Sequence, residues 1–442
     1  MVFGKTFKNG FHIPSKKEMS RGKEYIEISA PDLMKFPMLQ HIGTPAKPIV
    51  EVGDYVRVGQ KIGEKVGAIS ANVHSSVSGK VVKIDYSTAT RGTHVLCVYI
   101  ENDHKNELAY ELLNRDYTTM SSEEIVKIID EAGITGLGGA SFPTSVKLTP
   151  PEPVEDVIIN SAECEPYLTS DDAMMRNFAK DIVTGLKIEM HVLNAKRGHI
   201  LIEDDKPEAI EAMKEAVANE DNIEVVVAKA KYPQGDEKRV IDVVLGKEVP
   251  FGEHTYSIGV IVSNATTAYS ITQAVVHNKP LYERIVTFTG ESMKQKINAL
   301  VKFGTPISDA LKELGGVEDD IERYVLGGPM MGLAIEDLSI PLEKPTNGIL
   351  ALSAKETARP EEDPCIKCMK CVEVCPIGLQ PFNLHQLITN KDALEAREND
   401  LMTCIECGLC SFVCPSHIAL VETFKEGKKL VRQIEQENRR DN

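Results

Sequence analysis

The residues best equipped for chemistry lie between Pro364 and Pro415, where CIKCMKCVEVCP carries Cys365, Cys368, Cys371 and Cys375, and CIECGLCSFVCP carries Cys404, Cys407, Cys410 and Cys414. Each run reads C-x2-C-x2-C-x3-C-P. Two close turns bring three thiolates onto one small inorganic core, and the proline after the last cysteine steers the chain away. Where two such runs share a chain, the fourth cysteine of each ligates the other cluster. The spacing predicts one [4Fe–4S] cluster on Cys365, Cys368, Cys371 and Cys414, and a second on Cys404, Cys407, Cys410 and Cys375. Zinc and disulfides are the alternatives. Zinc sites seldom use three evenly spaced cysteines with a trailing Cys-Pro, and an acidic chain without an export signal is expected in a reducing compartment.

A second stretch suited to ligand binding is GITGLGGASFPTSVKL, residues 133–148. Gly136, Gly138 and Gly139 let the backbone approach a ligand and turn its amides toward an anion, and Lys147 adds positive charge. It is not a dinucleotide fingerprint, because a helix precedes it and Ser141 stands where the third glycine would be, and it lacks the G-K-[ST] of a P-loop. By itself such a loop is more often only a turn. Further along, however, apolar strands end repeatedly in polar groups. DVIINSA leads to Asn160, Glu163 and Glu165; IEVVVAKAKYPQGDEK brings Tyr232, Gly235, Asp236 and Glu237; and YSIGVIVSNATT ends on Ser263, Asn264, Thr266 and Thr267. Strand ends of this kind are the usual ligand-binding edge of an α/β sheet.

The elements that must position these groups fall into several domains, as 442 residues requires. The net charge of −16 argues against nucleic-acid binding, which needs a basic face. No stretch approaches the ~18 apolar residues of a membrane span, and the first twenty residues have no apolar signal region. Residues 1–45 read as an irregular basic arm, able to pack along a later domain or a partner. Residues 46–104 have the short, glycine-punctuated strands of a barrel-sandwich. Its turn, GAISANVHSSVSG, lacks the lysine of a carrier domain, so the module is expected to be structural. Cys97, in an apolar run, is expected in the core. Residues 105–132 read as helical, with Ser121 or Ser122 as a cap and Gly133 as the stop. Residues 105–278 are expected to form an α/β domain, with helices near 172–195 and 206–219. Residues 279–353 form a further unit containing the turn GGPMMG, whose methionines read as packing. Residues 354–442 comprise a linker and a helical domain around the cysteine runs.

GLGGASFPTSVK, NSAECEP, YPQGDEK and SNATT, in this order ahead of the cysteine runs, resemble the FMN- and NADH-binding subunit of respiratory complex I. With the barrel-sandwich in front and two ferredoxin-type motifs behind, nearly the whole chain resembles the RnfC/RsxC family of the Rnf ion-translocating electron transport complex. The fold class implied is multidomain α/β and α+β: barrel-sandwich, complex-I-type flavin domain, soluble-ligand-binding β-grasp domain and helical two-cluster domain. The resemblance implies that Gly136, Gly138, Gly139 and Lys147 surround the flavin, joined by Asn160, Asn264 and Thr267. It places Phe142 against NADH, Glu163 in the binding segment, Glu165 on the nicotinamide side as the catalytic residue, and Tyr232, Asp236 and Glu237 along the dinucleotide pocket. Leu137, Leu148, Ala162 and Ser263 depart from the complex I pattern.

A nicotinamide exchanges two electrons at once and a cubane one, and a flavin can do both. The implied activity is NAD(H) oxidation or reduction through noncovalent FMN and two [4Fe–4S] clusters. The implied partners are integral membrane subunits and a ferredoxin-accepting iron–sulfur subunit, with the chain peripheral at the cytoplasmic face of the membrane. A soluble flavin and iron–sulfur reductase, such as a cobalamin reductase, and an electron-transfer scaffold with a decayed flavin site are the alternatives.

Overall fold

Asp156–Ser161, Arg197–Glu203, Ile223–Ala228 and Val260–Asn264 are near-continuous apolar runs, the composition of strands covered on both faces. In the computed structural model, which describes residues 5–440 apart from Thr93 and Ala140, they form a parallel sheet in the order Ile223–Ala228, Arg197–Glu203, Asp156–Ser161, Val260–Asn264. Helices Ser170–Leu193 and Ala265–Val275 pack on one face with Val157, Ile159, Leu186, Ile200 and Ile261. Helix Glu237–Leu245 packs on the other with Ile158, Leu201, Val240 and Val262.

The barrel-sandwich consists of a four-stranded and a three-stranded sheet. Its turn at residues 70–78 is buried, with Ser76 donating to the Phe303 carbonyl at 2.6 Å and Asn72 to that of Asp130 at 3.2 Å. A turn sealed in this way cannot swing. Cys97 is fully buried.

Two segments differ from the sequence reading. The arm expected over residues 1–45 is not irregular throughout: Leu33–Pro37 is a strand of the barrel-sandwich, paired antiparallel with His94–Asn102, and Ile26–Glu27 pairs with Ile297–Lys302. These strands are too short to carry a visible period, and their partners lie far away in sequence. Only the first part is irregular, and it packs on the chain itself, with Phe11 N donating to Tyr232 O at 2.9 Å and Gly10 N to Val374 O at 3.1 Å. Second, the helix expected over residues 105–132 occupies Ser122–Glu131. Ser121 and Glu124 form a capping box, and Gly133, at φ 68°, follows the helix end. Residues 105–121 are instead irregular apart from a 3-10 turn at Tyr117–Thr119, with some amides given to distant carbonyls, as in Ala109 to Val58 at 2.9 Å and Arg115 to Val276 at 3.0 Å.

Residues 283–353 form a mixed sheet, joined by Ile26–Glu27, with helix Ile307–Glu313 packed in its core. Beyond it, among the described residues, the chain is helical, led by Pro381–Thr389 and Leu420–Arg440. Gly427 gives these two helices their close approach, since a Cβ there would meet Ile388 Cδ1 at 2.6 Å.

Candidate functional site

Asn160 and Asn264 are register partners at the carboxyl ends of adjacent parallel strands. The Asn264 side chain caps helix Ala265–Val275 by accepting from Thr266 N at 2.9 Å and Thr267 N at 3.4 Å. Thr267 Oγ1 in turn accepts from Leu137 N at 2.9 Å, which ties the glycine loop to this helix. Within the loop, Gly136 N donates to Phe142 O at 2.8 Å and Ser141 N to Gly136 O at 3.1 Å. Gly139 has φ +120°, and a Cβ on Gly138 would lie 3.3 Å from Asn264 Cβ. The glycines are thus needed for backbone shape at one position and for close packing at the other.

Loop and strand ends border a cavity of about 1270 Å³. All thirteen residues expected around cofactors line it: Gly136, Gly138, Gly139, Phe142, Lys147, Asn160, Glu163, Glu165, Tyr232, Asp236, Glu237, Asn264 and Thr267. Typical small-molecule sites occupy ~300–1,000 Å³, so the cavity has room for a flavin nucleotide beside part of a dinucleotide. Groups from other modules close it: Ile42 and Ile69 of the barrel-sandwich, the turn Gly327–Gly332, and Ile405 of the cysteine-rich domain. Sequence reasoning missed these because only tertiary packing brings them there.

Several of the polar groups are already engaged. Lys147 Nζ donates to Val262 O at 2.7 Å and lies 3.5 Å from Glu237 Oε1. Glu163 accepts from Asp171 N at 2.7 Å and Asp172 N at 3.1 Å, at the start of helix Ser170–Leu193. Behind this segment the fully buried Lys206 donates to Ala162 O at 2.7 Å and pairs with Glu203 and Asp205. Glu165 accepts from Met330 N at 3.0 Å and Met331 N at 2.8 Å, so the GGPMMG turn holds the very carboxylate expected beside nicotinamide. Burial pushes Glu165 up to about 7, against the pull of those two amides. Burial, reinforced by Asp171, does the same to Glu163. Asp236 caps helix Glu237–Leu245 by accepting from Arg239 N. Asn160 donates to Gly235 O at 2.9 Å.

The thiols separate into the two expected groups. Cys365, Cys368, Cys371 and Cys414 border one small cavity together with Ile366 and Met369, and Cys365 and Cys368 are exposed. Cys404, Cys407, Cys410 and Cys375 form the other group, three of them buried. Burial pushes Cys407 up to about 12, with smaller repulsion from Cys404 and Cys375. None of the ten cysteines is in a disulfide. Among the described residues no three Cys, His or acidic side chains converge as they would on a single metal ion. Four thiols around one cavity, supplied by two C-x2-C-x2-C-x3-C-P runs, suit a cubane. The second group adjoins the large cavity: Tyr232 Oη donates to Cys407 O at 2.8 Å, and a Cβ on Gly408 would meet Met330 O at 3.2 Å.

Family models match three stretches of the chain. The RnfC barrel sandwich hybrid domain matches residues 5–105, the Nuo51 FMN-binding domain 129–273 and the 4Fe-4S dicluster domain 364–418. The chain is 40% identical over 384 residues to the C subunit of the Na+-translocating ferredoxin:NAD+ oxidoreductase complex of Acetobacterium woodii, covering 86% of each. It is 40% identical over 399 residues to the C subunit of the proton-translocating ferredoxin:NAD+ oxidoreductase complex of Clostridium ljungdahlii, covering 89% of this chain and 87% of that one. The C subunit of the ion-translocating oxidoreductase complex of Pasteurella multocida is 38% identical over 434 residues, and the chain spans 52% of its length.

Proposed function

The chain belongs to the RnfC family, the C subunits of ion-translocating oxidoreductase complexes, and we propose that it is the NAD(H)- and FMN-handling electron-transfer subunit of such a complex. The observation that carries this reading is the contact between the large cavity and the inner thiol group, made through Ile405 and the Tyr232–Cys407 hydrogen bond. A bound flavin would supply the exchange between hydride pairs and single electrons. The chain's own residues bind and orient. The Gly136–Gly139 backbone and Lys147 take the flavin nucleotide, with Asn160, Asn264 and Thr267 fixing the loop against the strand ends. Phe142, Tyr232, Asp236 and Glu237 border the dinucleotide, and Glu165 faces the nicotinamide.

The inner group, Cys404, Cys407, Cys410 and Cys375, holds the cluster next to the cavity. The outer group, Cys365, Cys368, Cys371 and Cys414, holds the one that meets a protein partner; its exposed thiols and exposed Ile366 support this. No described helix is long and apolar enough to cross a membrane. In this reading the chain attaches peripherally, on the cytoplasmic face, through integral membrane subunits, and a separate iron–sulfur subunit serves ferredoxin. The sheet of residues 283–353 is a β-grasp unit, a reading supported by its hairpins, its parallel Glu283–Thr289/Gly348–Ser353 pair and its single packed helix.

Anaerobic reconstitution with iron, sulfide and FMN tests the whole. About eight irons and one flavin per chain, with NADH bleaching the flavin, are expected. Full iron without flavin would leave only an electron-transfer scaffold.

A further inference from the structure

Six acidic side chains border the large cavity, and five of them are engaged by the protein: Asp236 accepts from Arg239 N, and Glu237 lies 3.5 Å from Lys147 Nζ. Glu163 accepts from two helix amides and from Ser170 Oγ. Glu165 accepts from the Met330 and Met331 amides. Asp171 accepts from Asn264 Nδ2 at 2.8 Å and Thr266 Oγ1 at 2.9 Å. The sixth, Glu189, is different. It lies in helix Ser170–Leu193, flanked by buried Ile188 and Met190, and is only 1% exposed. Its Oε1 is buried and has no hydrogen-bond partner.

An acid in this position is costly to the fold. A buried acceptor left unsatisfied costs ~1–3 kcal/mol, and native proteins rarely leave one so. An apolar residue would serve the helix better, so the carboxyl calls for a partner that arrives from the cavity. Its chemistry is restricted. When ionised, the carboxylate only accepts, and a phosphate brings negative charge against it, whereas a hydroxyl can donate to the ionised form and accept from the protonated one. An uncharged hydroxyl can donate without repulsion. Lys147, whose charge acts on Glu189, leaves the phosphate a better site nearby.

We infer that Glu189 is a ligand-binding residue of this cavity, its open carboxyl oxygen accepting a hydrogen bond from a hydroxyl of the bound nucleotide's sugar or polyol portion. The inference rests on the reading of the cavity as a nucleotide site. The donor is either the ribityl chain of the flavin or a ribose of the nicotinamide dinucleotide, and the two sources can be told apart.

The test uses full-length, iron-loaded Glu189→Leu and Glu189→Gln, titrated with FMN and NADH and followed by fluorescence. Leu should weaken one nucleotide about 10- to 100-fold, whereas Gln, which keeps an acceptor, should stay within a few-fold of wild type. A loss confined to FMN identifies the ribityl chain, and a loss confined to NADH identifies a ribose. Unchanged affinity for both in folded Glu189→Leu overturns the inference and leaves the oxygen to a buried water. Should the Leu variant misfold, infrared difference spectra decide: nucleotide binding should perturb a carboxyl band in wild type that is missing from Glu189→Gln. Identical difference spectra would also overturn it. A wild-type chain that binds neither nucleotide sinks the cavity reading and this inference with it, so the two failures are distinct.

Discussion

At the scale of single residues, the cavity separates groups that hold the protein together from groups left open to a ligand. Lys147 is of the second kind, because the carbonyl of Val262 fixes its ammonium at the cavity wall and its ion pair with Glu237, at 3.5 Å, is with an exposed carboxylate that a phosphate can displace. Lys147→Ala should lower FMN affinity about 10- to 100-fold, the loss expected for a charge-assisted hydrogen bond to phosphate, and leave iron content unchanged. Flavin content equal to wild type would remove the loop from the site. Lys206 is of the first kind. Its loss in Lys206→Met would leave the buried Glu203 without the cation it pairs with and Asp205 to Lys17 at 3.8 Å, so unfolding should become easier by about 3–5 kcal/mol, read by chemical denaturation. Glu189 adds a pH dependence. Burial holds it at about 7 in the fold against an ordinary value of 4.5. Between those values the folded state keeps a proton that the unfolded state has lost, so its contribution to stability falls as pH rises from about 4.5 to 7. Glu189→Gln should make that part of the ligand-free stability profile less steep, with Glu163 and Glu165 supplying the slope that remains. Thirteen cavity residues were legible in the sequence, some from the glycine loop and the polar strand ends and others, such as Phe142 and Glu165, only through the resemblance of their motifs to the complex I subunit. Glu189 was not, since in DIVTGLKIEMHVL it reads like any helix-surface acid.

Elements show a sharper limit to what sequence carries. The parallel strands and their helices were readable from unbroken apolar runs and capping residues, and Ser121 with Glu124 forms the capping box of the helix that delivers the glycine loop. Strands of two to five residues, such as Ile26–Glu27 and Leu33–Pro37, were hidden, because pairing with distant segments determines them more than their own period does. The GGPMMG turn stood out in sequence, but its role did not. It brings backbone amides to Glu165, and a Cβ on Gly328 would lie 2.2 Å from Glu165 Oε2. Gly328→Ala must therefore displace either the turn or the carboxylate. The expected outcome is weaker NADH binding with FMN affinity and iron content retained, measured by titration of the reconstituted protein. A loss of flavin instead would put Glu165 on the flavin rather than on the nicotinamide.

At the scale of the whole molecule, the four modules meet where electrons would have to pass. The N-terminal segment donates from Asn9 to Cys375 O at 2.9 Å, Tyr232 of the α/β domain donates to Cys407 O, and Met330 of the six-stranded sheet packs against the same cluster-domain surface. The N-terminal segment, the α/β domain and the six-stranded sheet thus brace the inner thiol group, while Cys365 and Cys368 of the outer one are exposed. That asymmetry makes Cys375 the most informative cysteine: it belongs to the first run in sequence but to the second group in space, beside Cys404, Cys407 and Cys410. In Cys375→Ser the cluster nearer the cavity should be altered or lost, and the outer one should keep its electron paramagnetic resonance signal on chemical reduction. NADH should still bleach the flavin, yet reduction of the outer cluster by NADH should slow greatly, because the inner cluster is its only link to the cavity in this scheme. Cys414→Ser should do the reverse, abolishing the outer signal while NADH still reduces the inner cluster. If Cys375→Ser removed the outer signal, each run would hold its own cluster, and the order of cavity, inner group and outer group would have to be abandoned.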